Sequence, residues 1–452
     1  MDTRDAPYHA PVPSDQATRG GSDVRNSLIV GASIASWSVG AFAFYLVAGR
    51  VLGPDAYGLV AALQSVIIVG ALPIVALQWS IARVVAGSAD DNRAAAMATF
   101  RRAVVRATAI AIALAAVAVI VTLAIDLSGH PLPLAPLIIT YASLVGMVPM
   151  LIACGAMQGE HRYVGLAFSY GSSGVLRAPL LLPLLVVPFL SDVDAAVLAV
   201  AVAIWIGAIW ALWITRVDLR VKEKPDRDTW RDFLSAVPAA AIGLTGIAVL
   251  TNVDVIAAKL SIGGEQAGIF GAASVVSKAL LVIPQALTIV LLPRVAEREA
   301  RGERTGSLLA AGILAMAAAG VLAMLLAIPL AEPVMHIAFG SAYTSGATLL
   351  IPFLGATTLL GALLILVNHH VARSDHRFVW AVGGLAILQI VLLIFFSTSS
   401  QAIIAIDAIV GGVGLVVHEL IYFNTDESML RGAGAQFAAI MRRVTRRDRG
   451  AA

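Results

Sequence analysis

Apolar residues occur along this chain in long stretches, each separated from the next by charged residues or by glycine and proline. About 20 apolar residues are needed to cross a bilayer as an α-helix, so each stretch predicts one membrane-spanning helix. The pattern predicts an all-α polytopic membrane protein. Its spans are expected near residues 27–49, 57–82, 104–126, 133–156, 163–190, 195–215, 233–258, 266–293, 307–330, 345–368, 378–397 and 400–423.

The basic residues predict how these twelve spans are oriented, because Lys and Arg resist translocation and collect in cytoplasmic loops. If the N-terminal segment and every second loop are cytoplasmic, these segments hold all but four of the 31 basic residues. Arg50 and Lys259 fall in the opposite loops, and Arg177 and Lys278 fall inside spans. A missed or extra span would invert every later loop, so the asymmetry supports twelve spans with both termini in the cytoplasm.

Polar segments divide the chain into five regions. Residues 1–26 are polar and contain no pattern typical of a signal peptide, which predicts a disordered cytoplasmic tail. Residues 27–215 and 233–423 each hold six spans, and a basic cytoplasmic linker at 216–232 joins them. Residues 424–452 are predicted to form a basic cytoplasmic tail. Two interpretations of its basic residues are equally good: ordinary positive charge flanking the last span, or an amphipathic helix that lies on the anionic inner leaflet.

Two segments about 210 residues apart share a pattern, which indicates an internal repeat. YLVAGRVLGPDAYGLVAAL at 45–63 matches VIAAKLSIGGEQAGIFGAA at 255–273, and GEHRY at 159–163 matches SDHRF at 374–378. An even number of spans in each half makes the repeats parallel. We therefore expect two six-helix halves around a central cavity, which rocking of the halves exposes to each side of the membrane in turn.

Composition narrows the class of protein further. The chain is 59% apolar and 13% charged, with a mean hydropathy of +0.88, which excludes an ordinary soluble enzyme. The slight excess of basic residues is spread along the chain and does not indicate nucleic-acid binding. The single cysteine, Cys154, excludes a disulfide framework, and no ligand set predicts a metal site.

Motifs for chemistry are absent from the sequence. There is neither a phosphate-binding loop for ATP nor a nucleophile elbow or zinc-protease helix. We therefore expect no enzyme activity and no cofactor. Movement of a substrate would be driven by a gradient of H⁺ or Na⁺, by the membrane potential, or by consumption of the substrate on the far side.

Part of the chain resembles a known family. TNVDVIAAKLSIGGEQAGIFGAASVVSKALLVIPQALTIVLLPRVAE at 251–297 is similar to the seventh and eighth helices of polysaccharide-export flippases, and GRVLGPDAYG at 49–58 resembles their opening. That family of O-antigen-type oligosaccharide flippases belongs to the multidrug/oligosaccharidyl-lipid/polysaccharide (MOP) exporter superfamily, together with the multidrug and toxin extrusion (MATE) antiporters and the lipid II flippases.

The resemblance implies a secondary flippase for cell-surface polysaccharide synthesis in the bacterial cytoplasmic membrane. Its substrate would be an oligosaccharide linked to a polyprenyl phosphate or pyrophosphate. Its other partners would be membrane lipids and the glycan polymerase or glycosyltransferases of the same pathway.

Ionisable residues within the spans are the candidates for a functional site, because each costs on the order of 3 kcal/mol unless it faces protein, water or substrate. Arg177 is predicted to neutralise a substrate phosphate, with a structural ion pair or a snorkelling side chain as the alternative. Lys278 and Asn252 are further substrate-binding candidates. Asp254 and Asp407 are candidates for coupling to H⁺ or Na⁺, and an Asp254–Lys278 ion pair is an equally good interpretation.

Two basic residues lie in near-corresponding places at the outer ends of the first and seventh spans. Arg50 and Lys259 would hold glycan or anchor to lipid headgroups, and the anchor is favoured.

Two other functions compete with the flippase. A MATE-like cation-coupled drug exporter would use Asp254 and Asp407 in a more apolar cavity. A membrane glycan polymerase would need a large outer loop, and the predicted outer loops are short.

Overall fold

The computed structural model describes residues 15–88, 93–128, 132–216, 226–285, 287, 306–372, 376–425, 428, 429 and 431. No strand occurs among these residues, and thirteen α-helices account for most of them. The N-terminal half contains α1 Asp15–Leu52, α2 Pro54–Ala86, α3 Arg93–Leu127, α4 Leu134–Gly159, α5 Tyr163–Val175, α6 Arg177–Leu184 and α7 Asp192–Thr215. The C-terminal half contains α8 Arg227–Ser261, α9 Gly264–Lys278, α10 Gly306–Phe339, α11 Ala347–Ala372, α12 His376–Phe396 and α13 Ser400–Tyr422.

The predicted number of spans agrees with the structure once one broken helix is taken into account. Eleven helices in the described part of the chain are long and apolar enough to cross a membrane. The fifth predicted span is divided at Leu176 into α5 and α6. Pro179 contributes to this break, because proline has no N–H to donate to the carbonyl of Val175. The all-α polytopic fold is thereby confirmed.

Several helices extend beyond the predicted ends of the spans. The first helix begins at Asp15, inside the segment expected to be a disordered tail, and α8 begins at Arg227, inside the expected linker. The helix α10 continues to Phe339 through two prolines, nine residues past the predicted end at 330. These extensions are polar or proline-containing, so a search for apolar stretches does not detect them. Residues 1–14, 217–225 and 432–452 lie outside the described residues.

Two glycine turns confirm the internal repeat. Gly53 precedes α2 with φ +75° and Gly263 precedes α9 with φ +64°, a region of backbone conformation that favours glycine. The next equivalent pair touches: a Cβ on Gly58 would lie 2.8 Å from the backbone nitrogen of Gly268. Equivalent residues of two repeats meet each other only close to the pseudo-two-fold axis that relates them. That axis therefore passes near the contact between α2 and α9.

We call the end with the α1–α2 and α8–α9 turns the outer end and the opposite end the inner end, after the sides that the charge pattern predicts. The halves are joined mainly where α2 packs along α8 and against α9. The helices α3 and α10 are the least buried of the membrane-length helices. Their exposed large apolar side chains suit contact with lipid.

Candidate functional site

Arg177 is the first residue of α6 and lies at the break in the fifth span. It is 4% exposed, and its Nε donates a hydrogen bond to the carbonyl oxygen of Ser173 at 2.9 Å. Its guanidinium carbon lies 5.5 Å from the centre of the Trp37 ring, within the range of a cation–π contact. Tyr45 and Tyr170 interact with it electrostatically. We call Arg177, Trp37, Tyr45 and Tyr170 the arginine site.

Glycines bring the helices of the arginine site together. A Cβ on Gly40 of α1 would lie 2.5 Å from the backbone of Gly174 in α5, and a Cβ on Gly174 would lie 2.6 Å from the backbone of Trp37. Neither distance leaves room for a side chain. The close crossing of α1 and α5 therefore requires both glycines, and it places Trp37 beside Arg177.

The arginine site holds a buried cation, and no acid that the structure describes neutralises it. Within the described part of the chain, no carboxylate lies within ion-pair distance of Arg177. A buried charge is costly without a partner, so such a position favours an anionic ligand. A guanidinium is suited to phosphate because it is planar, permanently charged and able to donate two parallel hydrogen bonds. The substrate-binding role of Arg177 stays a prediction.

Asp254 and Lys278 form an ion pair in the C-terminal half. Asp254 of α8 is fully buried, and the Lys278 Nζ lies 2.8 Å from its Oδ1 and 2.7 Å from its Oδ2. Lys278 ends α9, where the chain passes into a 3₁₀ turn at Ala279–Leu281. Its Nζ also lies 6.0 Å from the centre of the Phe353 ring. The structure thus forms the ion pair that the sequence suggested as one of two interpretations.

Asp407 of α13 extends this ion pair into a larger cluster. It is 2% exposed and close enough to Asp254 and Lys278 to interact electrostatically with both. Its Oδ1 accepts a hydrogen bond of 2.7 Å from Nε2 of Gln389 in α12, and the same Nε2 donates to the carbonyl oxygen of Leu250 at 3.2 Å. Asp254, Lys278, Gln389 and Asp407 are called the C-half cluster below.

The C-half cluster contains two carboxylates and one ammonium group. One carboxylate is paired with Lys278. Among the described residues no basic side chain forms an ion pair with the second, so its position favours a proton or a bound cation. Sequence reasoning missed Gln389. The available signal was a single glutamine inside the apolar stretch 378–397. An amide often makes an ordinary contact between membrane helices, so this glutamine alone did not indicate a site.

The remaining substrate-binding candidate, Asn252, is not drawn into this cluster. It is half-buried, and its Nδ2 donates to the carbonyl oxygen of Ala248 at 3.0 Å and to Oγ1 of Thr251 at 2.9 Å. Both partners belong to its own helix, α8. Asn252 lies two residues before Asp254, so it points to a different side of that helix.

Arg50 and Lys259 both contact the opposite half of the molecule at the outer end. The guanidinium of Arg50 donates to the carbonyl oxygens of Ile337 and Ala338 in the last turn of α10, the Ala338 bond being 3.2 Å long. A cation at the C-terminus of a helix is favoured by the helix dipole. Lys259 Nζ lies 3.0 Å from Oδ1 of Asp55 in the first turn of α2.

A buried tyrosine adds to these contacts. The hydroxyl of Tyr343 donates to the carbonyl oxygen of Gly49 at 2.9 Å, and the Tyr343 ring packs against Tyr57 and Phe339. We call this tyrosine contact, together with those of Arg50 and Lys259, the outer contacts. The halves are therefore held together at the outer end by groups of both repeats.

The inner end is held together by the pair of α2 and α8. Oγ of Ser80 donates to the carbonyl oxygen of Phe233 at 2.7 Å, and the Arg83 guanidinium donates to the carbonyl oxygen of Asp232 at 3.1 Å.

A buried histidine pair lies towards the inner end of the C-terminal half. Nε2 of His370 and Nε2 of His418 are 2.9 Å apart, and Tyr422 stacks on His370. Over the described ranges, no group of three or more His, Cys, Asp or Glu residues is placed to hold a metal ion.

The membrane-length helices, the parallel repeat and the buried charges define a polytopic membrane protein built from two similar halves. The fold is similar to that of the lipid II flippase MurJ in its inward closed conformation, with a TM-score of 0.68, 13% identity and 90% of each chain covered. It is also similar to the eukaryotic MATE transporter AtDTX14, with a TM-score of 0.61, 14% identity, and 92% of this chain and 98% of that chain covered.

An inward-facing multidrug resistance MATE family transporter of the MOP superfamily shares the fold as well, with a TM-score of 0.62, 14% identity, and 86% of this chain and 97% of that chain covered. The sequence profile described as "Polysaccharide biosynthesis protein" matches residues 24–299, which is more than half of the chain. The chain belongs to this polysaccharide biosynthesis protein family. Comparison with curated protein sequences gives no match.

Proposed function

We propose that this protein is a secondary flippase. It moves an oligosaccharide linked to a polyprenyl phosphate or pyrophosphate from the inner to the outer leaflet. The family membership connects the chain to polysaccharide synthesis. The observation that carries the proposal is the buried Arg177, which has no carboxylate partner in the described ranges and provides a cation for a phosphate inside a membrane protein.

The aromatic residues of the arginine site support a sugar phosphate as the ligand. Trp37, Tyr45 and Tyr170 are half-buried, and the Trp37 and Tyr170 rings lie 6.0 Å apart. Aromatic side chains present an apolar face together with a polar group that can form hydrogen bonds. A sugar has the matching combination of C–H groups and hydroxyls, so the site provides contacts for both parts of the headgroup.

The distribution of charge favours an anionic substrate over a cationic drug. The ammonium of Lys278 already neutralises one carboxylate of the C-half cluster. In the other half Arg177 adds a positive charge that no described carboxylate pairs with. A MATE-like exporter of cations would be expected to keep its acids free for the drug. The exporter is therefore the second candidate function, and the second carboxylate, Asp407, is the feature of the site that favours it.

The C-half cluster supplies a mechanism for coupling. Binding of H⁺ or Na⁺ near Asp407 changes the balance of charge around Asp254 and Lys278, so the two conformations of the transporter differ in their affinity for the ion. Each ion bound or released then shifts the equilibrium between the conformations. Alternating access follows if the outer contacts break when the cavity opens outward.

The remaining parts of the proposal concern the cellular setting. The protein lies in the cytoplasmic membrane of a bacterium with both termini inside. Glycosyltransferases on the inner face assemble the lipid-linked oligosaccharide, and a glycan polymerase on the outer face consumes it.

The test is the sidedness of the lipid-linked oligosaccharide in cells depleted of this protein. We expect this lipid to accumulate in the inner leaflet. Unmodified protein should restore export, whereas Arg177→Ala should restore less than about a tenth of it, because a charge-assisted hydrogen bond is worth about 1.5–3 kcal/mol. Arg177→Lys keeps the charge but not the planar fork, so we expect partial export.

The control is Arg93→Ala, which removes an exposed arginine at the inner end that pairs with Glu160. This variant should export normally. Full export by Arg177→Ala at equal protein levels would contradict the role of the arginine site. Unchanged sidedness on depletion, combined with altered drug resistance, would favour the MATE-like exporter.

A further inference from the structure

An apolar groove lies between the two halves, apart from the arginine site and the C-half cluster. It has a volume of about 770 Å³ and is bounded by α2, α3 and α4 of one half and α8 of the other. A volume of this size matches the cavities that hold small organic ligands. Representative lining residues are Leu77 of α2, Ala111 and Leu114 of α3, Val148 of α4, and Phe233 and Val237 of α8.

The groove exists because α3 packs mainly along α4 and much less against α2 and α8. Most of the residues that α3 presents to the groove are alanines, among them Ala107, Ala111, Ala115 and Ala118, which leave space beside the larger Ile110 and Leu114. The wall from Arg106 to Ala118 is about 18 Å long at 1.5 Å per residue. One leaflet of a bilayer is about 15 Å of hydrocarbon, so the groove has the length of an extended acyl chain.

The inner end of the groove is cationic and carries a tryptophan. Arg106 and Trp230 line this end, and the guanidinium carbons of Arg102 and Arg106 lie 4.9 Å and 5.6 Å from the centre of the Trp230 ring. A neighbouring cavity of about 610 Å³ shares Trp230 and adds Arg227 and Arg231, with Asp228 as its acid. Arginines thus gather around Trp230 at the inner ends of α3 and α8: Arg102 and Arg106 contact its ring, and Arg227 and Arg231 share a cavity with it. Tryptophan is typical of this interfacial depth.

We propose that the groove binds one anionic phospholipid of the inner leaflet. Its acyl chain lies along the alanines of α3, and its phosphate lies against Arg102 and Arg106. The positive charge of the site favours an anionic headgroup, because arginine pairs with phosphate through two parallel hydrogen bonds. A zwitterionic lipid fills the same apolar space but carries a neighbouring positive charge that the arginines repel.

Because of the position of the groove, a bound lipid would affect how the two halves are arranged relative to each other. Its walls come from both halves, so any motion of α8 relative to α2 and α3 changes the shape of the site. A ligand that fits one arrangement better shifts the equilibrium towards it. Anionic lipid therefore stabilises the arrangement seen here, in which the inner contact between α2 and α8 is closed.

The test measures binding of lipid to the purified full-length protein, independently of transport. Phosphatidylglycerol or phosphatidylcholine carrying brominated acyl chains is added in nanodiscs. For each protein, quenching of Trp230 fluorescence is the difference between that protein and the same protein carrying Trp230→Phe, so that the signal of an introduced tryptophan cancels. Two variants address the two parts of the site: Arg106→Gln removes the charge, and Ala111→Trp fills the groove. Each has a matched control on α3, Arg93→Gln at an exposed ion pair and Ala113→Trp on the lipid-facing side.

We expect phosphatidylglycerol to quench Trp230 at least about fivefold more effectively than phosphatidylcholine, given about 1 kcal/mol for each arginine near an anionic headgroup. Arg106→Gln should reduce this preference, Ala111→Trp should reduce quenching by both lipids, and the controls should match the unmodified protein. Equal quenching of the unmodified protein by the two lipids would identify an ordinary lipid contact and overturn the proposal. A preference that persists in both Arg106→Gln and Ala111→Trp would overturn it as well.

Discussion

At the scale of single residues, a few buried charges have a large effect on stability, because the membrane offers no water to solvate them. Asp254 is fully buried and has one ammonium partner, Lys278, which contacts both of its carboxylate oxygens. Breaking a buried pair by removing one member leaves an uncompensated charge, while removing both members has a much smaller effect. Losing one member of the pair should therefore cost more stability than losing both members.

This reasoning predicts a double-mutant cycle. Asp254→Asn and Lys278→Met should each lower the free energy of unfolding by about 3–5 kcal/mol, whereas the double variant should regain most of that loss. Denaturant unfolding of the purified protein in detergent measures the effect. If the pair also serves coupling, the stable double variant should transport without dependence on H⁺ or Na⁺. Additive losses in the double variant would show that the two side chains do not interact.

The sequence identified most of these residues but not their surroundings. Arg177, Lys278, Asp254 and Asp407 stand out because a charge inside an apolar stretch is rare, whatever the fold. Their neighbours come from other helices, as Gln389 does for Asp407, and no spacing along the chain reports a contact between helices. The Asp254–Lys278 pair was one of two interpretations of the sequence, whereas the contact of Gln389 with Asp407 had to come from the structure.

At the scale of elements, the two candidate cations inside the predicted spans lie where their helices lose regular geometry. Arg177 follows the break between α5 and α6, and Lys278 precedes the 3₁₀ turn within the eighth span. Proline follows in both segments, as Pro179 and Pro284, and it removes a hydrogen-bond donor from the helix. Irregular helices inside a membrane are tolerated where protein or a cavity covers the freed backbone groups.

Pro179→Ala tests the break at the arginine site. Alanine can donate its N–H to the carbonyl of Val175, so we expect α5 and α6 to become one continuous helix and Arg177 to leave its bond with Ser173. Export of lipid-linked oligosaccharide should fall several-fold with no loss of thermal stability. Pro188→Ala, in the exposed turn after α6, is the control and should be neutral. Normal export by Pro179→Ala would show that the break does not position the arginine.

The helices themselves were largely predictable, because a membrane span requires a long apolar stretch. The ends were not. The helix α10 continues through Pro329 and Pro333 to Phe339, and α1 starts among polar residues at Asp15. Helical hydrogen bonding in these extensions does not depend on the apolar content that marks the spans.

At the scale of the whole molecule, the two halves meet through groups that the repeat places near its axis. Gly268 has no room for a side chain, since a Cβ there would lie 1.8 Å from the carbonyl oxygen of Pro54. Arg50, Lys259 and Tyr343 complete the closure of the outer end. Sequence analysis favoured lipid anchoring for Arg50 and Lys259, and the structure places both in contacts between the halves.

Gly268→Ala should therefore weaken the closure of the outer end. A single reporter cysteine at the buried Ala48, in a chain with Cys154→Ala, measures the opening by its rate of reaction with a membrane-impermeant maleimide. We expect Gly268→Ala to raise that rate at least several-fold. Gly384→Ala is the matched control, because a Cβ there meets no atom within 4 Å. Equal rates for the two variants would contradict the assignment of the α2–α9 contact to the outer closure.

Reconstitution of the purified protein in vesicles tests the central claim most directly. A polyprenyl-diphosphate oligosaccharide is placed in both leaflets, and a glycosidase added outside reports how fast the inner pool becomes accessible. The account predicts that unmodified protein and Arg93→Ala speed this exposure, whereas Arg177→Ala stays close to the rate of protein-free vesicles. No acceleration by the unmodified protein, or equal acceleration by Arg177→Ala, would contradict it.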